Sequence, residues 1–249
     1  MTAAEGGRSK YTVQVLLPCE VELDAHALLQ RLREWRGDIE QLGARMLYAI
    51  PTNDLPLLVH VFPTYLDTYA NELCDALTWS PAWRWDDLAK RCPASLAIAM
   101  VTQRPINHAS LLLAYLAVLD SVLFSFEPAV RDRTVLHWIP AQQLLSFDSY
   151  RLLRTELGPC GPAVNVRIGR SHLGHGPPGE WVADTIGLAE LGLPDLQMVF
   201  EPADPVVVVR ELRNLVRTVF VGDRLECGWI EEGSLLPPAR DALTLQCDL

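Results

Sequence analysis

The chain has 249 residues, 49% of them hydrophobic, and a formal net charge of −10. That much apolar material excludes long disordered stretches and suffices for the core of one large domain or two small ones. The charge, with a pI near 5.0, argues against nucleic acid and anionic membrane as primary partners, because both repel an acidic surface. Six cysteines, Cys19, Cys74, Cys92, Cys160, Cys227 and Cys247, lie far apart with no C-x-x-C pair. They read as reduced thiols, not as a disulfide frame. The first ten residues lack the apolar core of an export signal, which predicts a cytoplasmic protein.

Residues 1–9 read as a loose tail. Residues 11–17 alternate and then turn fully apolar, as a strand does. Asp24 is placed to cap a helix carrying Leu28, Leu29, Leu32 and Trp35 on one face. Residues 45–50 and 57–62 read as strands joined through hairpin-loop chemistry at 51–54. Residues 66–77 read as helical, and Ser80-Pro81 as a second helix start. A strand over 95–102 precedes a helix over 106–124. The middle of that helix has no polar residue, and it is too short to span a bilayer, so it reads as buried against a sheet. Residues 127–134, with Pro128 and alternating charges, read as the boundary between lobes at about 10–126 and 134–233 of a single domain.

Past that boundary, 135–139 reads as a strand and Pro140 as the start of a short helix. Residues 158–162 form a Gly/Pro turn cluster, 164–168 a strand, and 169–179 a mobile loop. Asp204-Pro205 opens a helix to Phe220 with the cap followed by Pro at the first helical position. Gly222-Asp223 is a turn, 225–230 a strand, and the remainder from Glu231 a surface tail. Strands and helices mix without strict alternation. The expected class is α+β, with helices packed on mostly antiparallel mixed sheets in two lobes of one compact unit.

Candidate chemistry is sparse. His172-x-x-His175, with Glu180 and Asp184 nearby, has the residue types of a zinc site but no cysteine at ligand spacing; exposed loop residues would look the same. Cys160, between two Gly-Pro pairs, looks the most exposed thiol. Catalysis there would need a histidine and an acid such as His137 and Asp148 arranged around it, and turn chemistry explains its neighbours without them. No G-x-S-x-G elbow is present, and Gly187-x-x-x-x-Gly192 lacks the Lys-Ser/Thr of a phosphate loop. The expectation is therefore a protein without catalytic residues, cofactor or metal. Trp79, Trp83 and Trp85 would wedge helices together or form an aromatic surface. Asp86 and Asp87, and Glu231 and Glu232, are small acidic patches: ordinary solvated surface, or steering groups for a basic partner.

The most informative stretch is residues 184–197, DTIGLAELGLPDLQ, between two apolar runs. Two glycines, a proline and two aspartates sit among five aliphatic side chains, which describes a shaped, buried connection. Gly187, Gly192 and Pro194 would set its turns, and Leu188, Leu191 and Leu193 would anchor it. Asp184 and Asp195 would accept bonds from backbone N–H groups.

Residues 181–233 resemble a bacterial domain-of-unknown-function family with the hallmark D-T-x-G-L-x-x-L-G-L-P-D-L-Q, ending here at Gln197. An acidic-Pro helix at Asp204-Pro205, a Gly-Asp turn at Gly222-Asp223 and a strand at Cys227-Gly228 follow in the same order. The family has no established enzymatic activity and includes type VI secretion immunity proteins such as TsiT, paired with a nuclease effector. The resemblance implies a cytoplasmic antitoxin whose partner is a cognate toxin protein, and it carries over no catalytic or contact residues. A small-ligand- or metal-binding protein or enzyme using the His172–His175 loop, and a secretion-accessory scaffold, stand beside it as alternatives. Whether the protein is a monomer or a homodimer stays open.

Overall fold

A computed structural model of the chain describes residues 9–43, 46–51, 56–102, 108–170, 181–200, 204–222, 228–233 and 241–246. The chain divides into two units, Met1–Leu152 and Leu153–Leu249. The class is α+β, as expected.

The first unit is built on seven strands: β1 (Ser9–Leu17), β2 (Glu40–Gln41), β3 (Leu47–Ile50), β4 (Leu57–Thr64), β5 (Ala94–Thr102), β6 (Val135–Trp138) and β7 (Gln143–Ser146). Their order is β2-β3-β4-β5-β1-β6-β7, every neighbouring pair antiparallel. Between them run α1 (Ala25–Trp35), α2 (Ala70–Thr78), α3 (Trp85–Arg91), α4 (His108–Leu123) and α5 (Pro128–Arg131); α6 (Phe147–Leu157) follows β7. The central strand β1 is buried on both sides, so its side chains alternate between two apolar environments and not between core and water. Tyr11 faces Tyr115 of α4 and Trp138 of β6, with ring centroids 5.0 and 6.3 Å apart. On the opposite side, Leu16 joins Leu73 and Ala76 of α2, Leu88 of α3, Val135 and Leu144 in one buried cluster.

The Tyr115 hydroxyl accepts from Val13 N at 2.8 Å and donates to Ile98 O at 2.6 Å, and these two residues are opposed in the β1–β5 ladder. The long apolar helix is therefore tied to the sheet by a polar atom as well as by packing. Asp24 caps α1, accepting from His26 N at 2.8 Å and Ala27 N at 3.2 Å.

The second unit contains β8 (Asn165–Arg170), β9 (Trp181–Ile186), β10 (Asp195–Phe200), α7 (Pro205–Phe220), β11 (Gly228–Gly233) and β12 (Asp241–Gln246). The sheet order is β11-β12-β10-β9-β8, antiparallel except for the parallel β10–β12 pair. Helix α7 packs on β8, β9 and β10. It buries Val208, Leu212, Val216 and Phe220, a run of four-residue steps that drowns the strand signal of its valines.

Six expectations change. The break falls at Leu152–Leu153, not at 127–134, because β6 pairs with β1 and belongs to the first sheet. Pro140 starts only a single 3-10 turn, Ile139–Ala141. Gln142, at φ 49°, then reverses the chain so that β7 pairs back on β6. The second Trp-flanked helix starts at Trp85, because Ser80-Pro81 is spent on a turn in which Trp83 N bonds Ser80 O at 2.9 Å. Trp35 is 45% exposed, since α1 ends at that residue and leaves its ring past the packed face. The supposed surface tail supplies β12, an interior strand of the second sheet. Its alternation over 241–246 is the period-2 signal of a strand. Ser9, expected in the tail, opens β1 opposite Thr102. Residues 1–8 and the hairpin loop 52–55 lie outside the described residues.

Candidate functional site

The 184–197 run folds as the β9–β10 hairpin and its connection. Its ends meet: Asp184 and Gln197 are direct partners across the ladder, and Arg167 of β8 is opposite Asp184 on the other side. All three are fully buried. Arg167 Nε donates to Asp184 Oδ1 at 2.8 Å and Nη2 donates to Oδ2, a bidentate ion pair in the interior. The expectation for Asp184 is thereby amended. Its carboxylate is the counter-charge of a buried guanidinium, because cross-strand pairing places the two within reach.

Asp195 behaves as expected. Its Oδ1 accepts from Leu188 N at 3.0 Å, and the Thr185 hydroxyl lies 3.4 Å away. Thr185 Oγ1 accepts in turn from Leu196 N at 2.8 Å. Between these clamps, Leu193 N bonds Leu188 O at 3.0 Å and Gly192 N bonds Ala189 O at 2.9 Å. Those two bonds are a Schellman closure, and they need a left-handed residue at Gly192, which has φ 78°. Gly187 enters the turn at φ 119°. Leu188 and Leu191 are buried, Leu193 is half-buried and Pro194 is exposed. Asp184 is paired with Arg167, and Asp195 Oδ1 and Thr185 Oγ1 accept from Leu188 N and Leu196 N, so the arrangement is a clasp.

The other candidates are distributed elsewhere. Trp83 and Trp85 are half-buried against the Leu16–Leu73–Leu88 cluster, which is the wedging role. Asp86 and Asp87 sit exposed in the first turn of α3, with Lys90 and Arg91 in its last turn, each charge favourable to the helix dipole. Cys160 is 2% exposed; its Sγ donates to Leu157 O at 3.3 Å and burial pushes the thiol up. The exposed thiols among the described residues are Cys19 and Cys74. Cys160 looked open because flanking Gly and Pro mark turns, and this turn, Gly158–Ala163, is itself buried. Asp148 is exposed on α6. His172, His175 and Glu180 lie outside the described residues, as do the side chains of Glu231 and Glu232 on β11. Among the described residues no group of three metal-ligating side chains is assembled.

One feature had no sequence signal strong enough to single it out. In the first unit, a groove of about 460 Å³ opens beside the β1–α1 connection. Its walls include Leu17, Val21, Leu23, Met46, Phe62 and Leu96, its polar floor Thr64 and Ser95, and its margin Glu20, Glu22 and Tyr65. A buried polar chain runs inward from it. Thr64 Oγ1 and Ser95 Oγ are 2.9 Å apart; Gln14 Nε2 donates to Ser95 Oγ at 3.3 Å and to Tyr65 O at 2.8 Å. Gln14 Oε1 is 3.2 Å from His137 Nδ1. Burial drives His137 down to about 4, the Glu72 backbone acting weakly the other way.

No family model, no curated protein and no solved structure matches the chain.

Proposed function

We propose that the protein is a cytoplasmic immunity protein that binds a cognate secreted toxin, a nuclease, and blocks it by stoichiometric occlusion. The observation that carries this reading is the sequence of the 184–197 run with the elements that follow it, through which residues 181–233 resemble a bacterial family that includes type VI secretion immunity proteins. Two physical features support it. Asp184 is paired with Arg167 of β8 and Asp195 Oδ1 accepts from Leu188 N, bonding that suits a structural role for the run. The net charge of −10 suits a basic partner such as a nucleic-acid-cleaving enzyme. Inhibitor pairs of this kind bind through a few desolvated anchors, while charge sets mainly the on-rate.

The test is co-expression with the product of the adjacent gene. A stable complex on co-purification and survival of toxin-expressing cells are expected. Absence of both overturns the reading.

A further inference from the structure

We infer that the groove beside the β1–α1 connection seats a basic, apolar-flanked segment of a protein partner, with one Arg or Lys side chain held between Glu20, Glu22 and the Tyr65 ring. This deepens the immunity reading, on which it rests for the partner's identity.

The strongest argument is the state of Tyr65. Its side chain is 78% exposed, yet its backbone is held on both sides. Tyr65 O accepts from Gln14 Nε2 at 2.8 Å and from Thr68 N at 3.1 Å, and Tyr65 N donates to Thr68 Oγ1 at 2.9 Å. The buried His137–Gln14 contact fixes the amide that supplies the first of these bonds. A large aromatic group is therefore presented to solvent from a rigid support. Such an anchor loses little conformational entropy on binding, the usual reason that Tyr serves at recognition surfaces.

The groove's chemistry selects the occupant. Glu20 and Glu22 are its charged lining residues, and no Arg, Lys or His lines it among the described residues. Pro63 and Pro93 contribute walls without N–H groups. The margin is thus rich in acceptors and poor in donors, which favours a cationic donor over an anion. Val21, Leu23, Met46 and Phe62 supply apolar surface for flanking side chains or an aliphatic stem. The volume, about 460 Å³, accommodates a few side chains and so marks one anchor point within a larger interface.

The probe is the peptide acetyl-Ala-Leu-Arg-Leu-Ala-amide, titrated at millimolar concentration into the full ¹⁵N-labelled chain, with the Glu analogue as control. Amide shifts are expected around residues 17–23 and 61–65 for the Arg peptide and not for the Glu peptide. Glu20→Gln with Glu22→Gln should weaken binding by about fivefold, and Tyr65→Ala comparably. Both variants should keep the wild-type melting temperature, because the altered groups are exposed. No shifts, equal shifts from the Glu peptide, or unchanged affinity in both variants would overturn the inference. The two proposals fail separately. If the neighbouring toxin binds both variants as tightly as wild type, the groove is refuted and the immunity reading stands. If no toxin complex forms while the Arg peptide binds as described, the immunity reading falls alone.

Discussion

Arg167 and Asp184 are each fully buried and depend on each other. Removing one partner of such a pair strands the other charge, a loss of about 3–5 kcal/mol. Asp184→Ala should therefore be the most damaging change in the clasp by urea denaturation. Replacing both residues with leucine should recover much of that loss, as buried ion pairs exchanged for apolar groups generally do. Asp195→Ala withdraws an acceptor from Leu188 N and should cost about 1–3 kcal/mol. It should lower the melting temperature far more than it weakens the proposed toxin binding; an unchanged melt with lost binding would make the clasp a contact surface. His137 has a different signature. Its folded value near 4 lies below the ordinary histidine value of 6.5, so the unfolded chain binds the extra proton first. Its contribution is whole above pH 6.5 and is lost as the pH falls from 6.5 to about 4, up to about 3 kcal/mol in all. In His137→Gln that slope should flatten, read as denaturation midpoints across the window. The 184–197 side chains announced a clasp by type alone. Arg167 was overlooked because it falls in register with Asn165 in the alternating run 164–168, a position that reads as solvent-facing until both faces of β8 are seen.

Elements were legible wherever a local signal agreed with the tertiary outcome. The capped helices at Asp24 and Asp204 are of this kind, since cap and apolar period point the same way. The 139–146 segment shows the opposite case. Proline suggested a helix, but the left-handed Gln142 and the unpaired edge of β6 made a hairpin, and the edge is invisible until the sheet exists. Two glycines separate conformational from steric demands. A Cβ at Gly192 would meet nothing within 4 Å, so Gly192→Ala should lose only the left-handed penalty, about 1–2 kcal/mol. At Gly161 the Cβ would lie 2.3 Å from Leu153 O. Gly161→Ala should therefore destabilise more than Gly192→Ala in thermal melts, although Gly161 has no unusual backbone angle. On α7, Leu212→Ala should cost about 2–5 kcal/mol, as for other core leucines.

At the scale of the whole molecule, the proposed association should be strongly salt-sensitive. Screening shortens from about 30 Å at 0.01 M salt to about 8 Å at 0.15 M. The on-rate for the toxin should fall across that range while the off-rate changes little, measurable by stopped-flow mixing. The class was readable from the order in which strands and helices mix. The Tyr65 groove was not, because it is assembled from four separate segments, 17–23, 46, 61–65 and 93–96. No helix among the described residues is long and apolar enough to cross a membrane. The second sheet has a consequence for synthesis on the ribosome. Strand β12 lies between β10 and β11, and is parallel to β10. The first sheet has all its strands once residue 146 emerges, but β10 must wait for residues 241–246. At about 5–20 residues per second, that flank of β10 stays open for roughly two to nine seconds. During that interval the nascent chain carries an unsatisfied strand edge, and it is then that a chaperone, or a second copy on the same polysome, has its best chance of capturing it.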